Sequence, residues 1–294
     1  MNKKTDEKAQ KNRQYRLILN EFAKYIFMLS TLFGIVVLGI LIYRVVSEGI
    51  GWINFDFLTG KLSTQAEKAG ILGAILGTFW LMVVVIPLTM ILGIGTALFL
   101  EIYMKKGRIQ SLLQTNIANL AGVPSIVYGI LGMTIFVRAL DFGNIVLAGG
   151  LTMSLLILPI IIVSSQEAIR SVPMHLSEAS YGIGATKWQT IRHIIIPVAL
   201  PGILTGAILS FSRAIGETAP LVVIGIPALL MPLPGGILDK FTVLPMQIYY
   251  WTLDASLVEE YANLAAATII VLLFVLFLLN SVAIIIRNKF KQIY

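Results

Sequence analysis

The chain has 294 residues, 57% of them hydrophobic and 13% charged, against roughly 45–50% and 25% in soluble domains. That balance leaves too little polar surface for one or two soluble domains and puts the chain in the integral-membrane class. A net charge of +7 raises the question of nucleic acid, but its distribution argues against that, and zero cysteines exclude disulfides, cysteine-ligated zinc, iron–sulfur clusters and a thiol nucleophile.

The N-terminal stretch "MNKKTDEKAQKNRQYR" is too long and too charged for an ordinary signal peptide, and no small-residue cleavage site follows it. It reads as a polar tail, residues 1–25, ahead of an uncleaved anchor helix at 26–46. A bilayer span needs about 20 predominantly apolar residues. Six stretches qualify: Ile26–Val46, Ile71–Leu100, Leu113–Val137, Ile145–Ser165, Val198–Ile226 and Ala262–Ile286. The fold class expected is therefore all-α, with six transmembrane helices. After the anchor come a five-helix core at 71–286 and a C-terminal tail at 287–294.

Seven Lys/Arg lie in the first 24 residues, three at Lys105, Lys106 and Arg108, three at Arg170, Lys187 and Arg192, and three at Arg287, Lys289 and Lys291. These fall in alternate gaps between the apolar stretches. The other gaps hold only Arg44, Lys61, Lys68, Arg138 and Lys240. By the positive-inside rule both termini are expected in the cytoplasm, which requires an even number of spans. The long outer connections are 47–70 and 227–261, where prolines 227, 232, 234 and 245 argue against one continuous helix. Small residues recur within the spans (Gly73 and Gly77, Gly93 and Gly95, Gly129 and Gly132, Gly202 and Gly206), and small residues about one turn apart let helix backbones approach closely, which indicates a compact bundle.

Several chemistries are missing. Neither HExxH nor GxSxG occurs, and both histidines, His175 and His193, fall in one cytoplasmic loop. "TGKLS" at 59–63 has the ending of a phosphate-binding loop, but the required earlier glycine is Phe55. No catalytic or metal-binding set is expected. If ATP drives the protein, a partner hydrolyses it.

The cytoplasmic loop 166–197 is amphipathic. Ser177 and Glu178 suit a helix start, Gly182 and Gly184 allow a tight turn, and Trp188, Ile191 and Ile195 resume a helical spacing. Two readings fit: a helical plug for a partner's groove, or an interfacial helix anchored on lipid by Trp188.

Arg213 and Glu217, four residues apart, are the charged side chains in the span interiors, where a charge costs at least about 3 kcal/mol. On one continuous helix they share a face. They serve either as a self-neutralising packing pair or as a transient anion site. In the second case guanidinium grips an oxyanion and the carboxylate weakens that grip to permit exit. "GVPSIVYG" offers a second anion-handling candidate in Ser125, beside Pro124, Gly122 and Gly129; equally, Ser125 caps or back-bonds its own helix. Tyr128 fits core or pore.

The loop resembles the EAA motif of ABC-importer permeases: Glu178, Ala179 and Ser180, then Gly184, then Ile194, Ile196 and Pro197, with Ser180 and Ile196 departing conservatively. "AGVPSIVYGILG" at 121–132 and "RAIGETAPL" at 213–221 are similar to motifs of the phosphate ABC transporter permeases, and "VLPMQIYYW" at 243–251 is more similar to the PstA-type subunit than to the PstC-type. The resemblance implies the MetI-like ABC permease fold, one peripheral helix before a five-helix core. It implies a docking loop for an ATPase built on Glu178, Ala179, Gly184 and Pro197. It further implies a bacterial cytoplasmic membrane and three partners: a PstC-type permease, a PstB-type ATPase dimer that carries ATP and Mg, and a PstS-type phosphate-binding protein.

ATP-driven phosphate import is the function expected. A permease for another oxyanion, sulfate or molybdate, is the neighbouring alternative. A secondary transporter with Glu217 as proton carrier is the alternative from another class, and a membrane enzyme is disfavoured because its spans hold no nucleophile–base set.

Overall fold

The computed structural model describes residues 3–227 and 232–289. Among them the regular structure is helical, with one isolated bridge between Ile145 and Lys240. Helix α1 (Lys3–Gly49) runs without interruption through the basic stretch and the anchor. Its apolar side chains, such as Phe27, Phe33 and Tyr43, are exposed, as suits a helix solvated by lipid. It meets the bundle at its C-terminal end, where a Cβ on Gly49 would lie 2.6 Å from the backbone of Ala266.

A short helix α2 (Phe55–Thr59), capped by the Asn54 side chain, leads to α3 (Leu72–Leu98), which ends in a widened π-type turn, Phe99–Tyr103. Then come α4 (Arg108–Ala121), α5 (Ser125–Gly132, extended by a π-type turn to Ala139) and α6 (Val146–Arg170). The loop contains α7 (Met174–Gly182) and α8 (Lys187–Thr190). The chain continues through α9 (Ile196–Gly216), α10 (Ala219–Ile224), α11 (Leu244–Asp254) and α12 (Glu260–Lys289). Residues 228–231 of the long outer connection, and 290–294 of the C-terminal tail with Lys291, lie outside the described residues, as do Met1 and Asn2.

Helices α3, α6 and α9 form the spine. In lipid the hydrophobic effect does not draw helices together, so close approach at small residues must. A Cβ on Gly150 of α6 would meet Val84 of α3 at 2.6 Å, and one on Gly202 of α9 would meet Ala168 of α6 at 2.9 Å. Most of the expected small pairs are such contacts; Gly95, by contrast, faces open space. One core cluster fills the middle, with Leu81, Val85, Met153, Ile157 and Leu221. A second lies at the basic end, with Ala97, Ile169, Ile191 and Ile203, and a third at the opposite end around Phe57, Trp251 and Leu264.

Three expectations need correction. The third span is not a single helix: α4 and α5 meet at 97° across Gly122–Pro124. Pro124 has no amide proton to give α4, and it keeps Val123 out of helical geometry. The fifth span is also interrupted, since α9 stops at Gly216 and Glu217 is extended (φ −81°, ψ 127°) before α10 begins. Ser177 and Glu178 do not start a helix either, because Pro173 takes the N-cap position and α7 begins at Met174. The second loop helix is continuous with a span: α8 passes through a π-type turn, Ile191–Ile195, into α9, making one 30-residue run, Lys187–Gly216.

Close packing at glycine is directly testable. Gly150→Ala should destabilise the purified protein by about 1–3 kcal/mol, the usual cost of overpacking. Gly95→Ala should stay within about 0.5 kcal/mol of the parent. Thermal unfolding in detergent would show both; equal effects would contradict the spine packing.

Candidate functional site

The helices that follow the two breaks, α5 and α10, pack against each other. Gly129 of α5 lies against α10, where an added Cβ would be 2.8 Å from Pro220 Cα and 2.9 Å from Val223. At the first break the Tyr128 hydroxyl donates to the Leu120 carbonyl (2.8 Å), and the amides of Gly122 and Val123 bond to Asn119 and Leu120. Tyr128 is therefore buried structure that fixes the bend. Ser125, half-buried, is the first residue of α5, whose N-cap position is Pro124 with no side-chain cap. The Val127 amide bonds to Pro124 O (3.0 Å), which leaves the amides of Ser125 and Ile126 directed out of the helix end.

At the second break, Arg213 occupies the last turn of α9, where a cation offsets the negative helix end. Glu217 stands just past that end. The two are not stacked on one continuous helix. Arg213 Nε and Glu217 Oε2 are 3.8 Å apart, too far for a hydrogen bond, and their side chains are 49% and 20% exposed. The described hydrogen bonds and ion pairs do not link Ser125 to this pair. The carbonyls beyond α10 are satisfied from elsewhere in the fold: Asn144 donates to Gly225 O (2.8 Å) and Tyr250 to Ile226 O (3.0 Å).

The loop at the basic end is a tight helix–turn–helix. Gly184 has φ +84°, a conformation L side chains rarely adopt. Around it the Ala185 amide bonds to Ser180 O (3.1 Å) and the Gly184 amide to Tyr181 O (2.9 Å), closing the end of α7 with a Schellman motif. Thr186 then caps α8 in a capping box with Gln189. The buried hydroxyls of Ser180 and Thr190, 2.9 Å apart, join the two helices. Glu178 and Ala179 are exposed on α7, and Pro197 sits in the first turn of α9. Ile183 (88% exposed) and Trp188 (58%) project outward.

Residues 89–291 match the sequence profile of the binding-protein-dependent transport system inner membrane component. The chain belongs to this family. The permease is 35% identical over 215 residues to the phosphate transport system permease protein PstA 1 of Mycobacterium tuberculosis (strain ATCC 25618 / H37Rv), covering 71% of this chain and 69% of that protein. It is 32% identical over 208 residues to the probable ABC transporter permease protein YqgI of Bacillus subtilis (strain 168), covering 70% of each. Against PstA of Yersinia pestis, identity is 29% over 293 residues, 97% of this chain and 96% of that one. Among solved structures, it aligns with a chain of a bacterial alginate ABC transporter at TM-score 0.66 and 16% identity, covering 95% and 100% of the two chains. With the MetNI methionine ABC transporter the TM-score is 0.55 at 17% identity, covering 76% and 96%. The fold is the MetI-like permease fold.

Sequence reading missed one residue of the permease. Glu101, in the π-type turn after α3, has a side chain only 11% exposed. Its Oε1 accepts from Arg170 (2.6 Å) and Gln166 (2.8 Å) of α6 and from Gln114 (3.1 Å) of α4. Its only signal in sequence is a lone acid at the end of an apolar run, "FLEIY".

The loop geometry of the permease predicts a local effect. Placing alanine at Gly184 forces an L residue into the left-handed region at about 1–2 kcal/mol. Hydrogen exchange at the Ala185 amide should therefore accelerate about 5- to 30-fold in Gly184→Ala. Gly182→Ala, in the regular part of α7, should leave it unchanged. Equal rates in both variants would contradict the turn.

Proposed function

We propose that this permease is one membrane half of an ATP-driven importer of inorganic phosphate. The observation that carries the reading is Arg213: a guanidinium in a span interior, about half exposed, facing a helix break and only loosely held at 3.8 Å by Glu217. A planar fork of donors suits phosphate oxygens. When the anion arrives, Arg213 turns from Glu217 to the phosphate. On departure the carboxylate recaptures the arginine, so binding never becomes too tight for exit. The uncapped start of α5, with Ser125, supplies neutral donors on the neighbouring break. The similarity to PstA permeases supports phosphate as the oxyanion.

In this reading the chain pairs with a PstC-type permease, and a PstS-type protein delivers phosphate from the far side. The α7–α8 loop, through Glu178, Ala179, Gly184 and the start of α9 at Pro197, docks a PstB-type ATPase dimer. That dimer holds the ATP and Mg; this chain holds neither. Both termini and the loop lie on the cytoplasmic side of a bacterial inner membrane, with α1 as a peripheral anchor beside the core.

An ion pair this exposed contributes about 0–1 kcal/mol to stability, so charge-neutral variants should still assemble. A charge-assisted bond to phosphate is worth about 1.5–3 kcal/mol. Arg213→Gln should therefore cut uptake of labelled phosphate in proteoliposomes by about ten- to a hundredfold or more, with Arg213→Lys between it and the parent. Glu217→Gln should slow turnover by retarding release. The double variant Arg213→Met with Glu217→Gln should assemble and not import. Import by that double variant at the parent rate contradicts the role of Arg213, and uptake of sulfate or molybdate in place of phosphate contradicts the substrate.

A further inference from the structure

The π-type turn Phe99–Tyr103 joins the end of α3 to α4, to α6 and to the start of α8. Glu101 gathers three donors from two helices, as described above. Beside it, Gln110 of α4 donates to the Leu100 carbonyl (2.8 Å), so α4 is fastened to this turn twice, through Gln110 and Gln114. From the loop side, the Lys187 ammonium at the start of α8 lies 4.5 Å from the Tyr103 ring centroid, within cation–π range. Arg170 is the last residue of α6, three residues before the proline that begins α7, and it also bonds to Glu167 (3.1 Å). Between this cluster and α7 is a cavity of about 300 Å³ lined by Glu101, Ile102, Arg170, Met174, Ser177 and Ile195.

A carboxylate so nearly enclosed is costly unless paired. Its pairing here spends three donors on a single oxygen where the end of α3 meets α4 and α6. π-type turns within α-helices recur at functional positions. We infer that Glu101 is a positioning residue that couples movement of the α7–α8 loop to the α4–α5 bend. It grips α4 and the end of α6 together, so that a displacement of the loop is carried to the α4–α5 bend, whose second arm α5 packs on α10. This rests on the reading of the protein as an ATP-driven importer for its consequence in transport, but the mechanical link itself belongs to this chain alone.

Two measurements test it. In the full reconstituted transporter, Glu101→Ala should keep ATP hydrolysis near the parent rate while phosphate import falls at least tenfold, so that ATP consumed per phosphate rises by the same factor. Glu101→Gln, whose amide oxygen keeps the two glutamine donors, should recover part of the coupling. A purely structural role would lower both activities together and leave the ratio unchanged, which would overturn the inference. The second measurement needs no transport: spin labels at Ser111→Cys on α4 and His175→Cys on α7 of the purified chain, which has no cysteine of its own. The distance distribution should be narrow in the parent, broad in Glu101→Ala and intermediate in Glu101→Gln. An unchanged distribution overturns the link even if import is lost. A parent transporter that imports no phosphate, with the distribution broadening as expected, would instead refute the transport reading and leave the link standing.

Discussion

Backbone amides and carbonyls cannot be left bare in hydrocarbon, and this rule governs the rest of the molecule. A span can be interrupted only where protein or water takes over its hydrogen bonds. Here two spans are interrupted, at Gly122–Pro124 and at Glu217–Thr218, and backbone bonds bridge the second: the Glu217 amide bonds to Ala214 O and the Leu221 and Val222 amides to Thr218 O. Tyr128 closes the first by donating to Leu120, and Asn144 and Tyr250 answer the carbonyls beyond α10. The spine of α3, α6 and α9 provides the rigid wall against which such breaks are tolerated.

Function follows from what the breaks expose. A continuous ninth helix would have stacked Arg213 and Glu217 on one face as a tight packing pair. Ending α9 at Gly216 separates them to 3.8 Å and leaves the guanidinium partly free. The same interruption sets the arginine at a negative helix end, which helps hold its charge there without a clamped partner. At the basic end, the α7–α8 loop follows the opposite design: a Schellman turn, a capping box and a buried hydroxyl pair make it stiff.

Much of this was legible from residues. Hydropathy located the apolar runs, and the Gly184 and Pro197 spacing marked the loop. The bend between α4 and α5 was not legible, because the composition of Leu113–Val137 is equally apolar whether straight or folded through 97°. Gly122 and Pro124 signalled weakness without giving an angle. The Arg213–Glu217 geometry was misread because a spacing of four is the same number whether or not the helix continues. Ser177–Glu178 has the letters of a helix start, but Pro173 had already set that start four residues earlier. Glu101 stayed hidden because its partners lie up to 69 residues away and only the fold assembles them.

If the second break lines a water-filled path, its end must be reachable from water in the middle of the membrane. Gly216, exposed and with open space where a Cβ would go, is the position to probe, and the cysteine-free chain gives a silent background. In the assembled transporter, Gly216→Cys should react with a small water-soluble thiol reagent, and ATP should change the rate, whereas Phe33→Cys on the lipid-facing α1 should stay inert. A Gly216→Cys as unreactive as Phe33→Cys, in every nucleotide state, would mean that the break faces lipid or protein and that Arg213 lines no path.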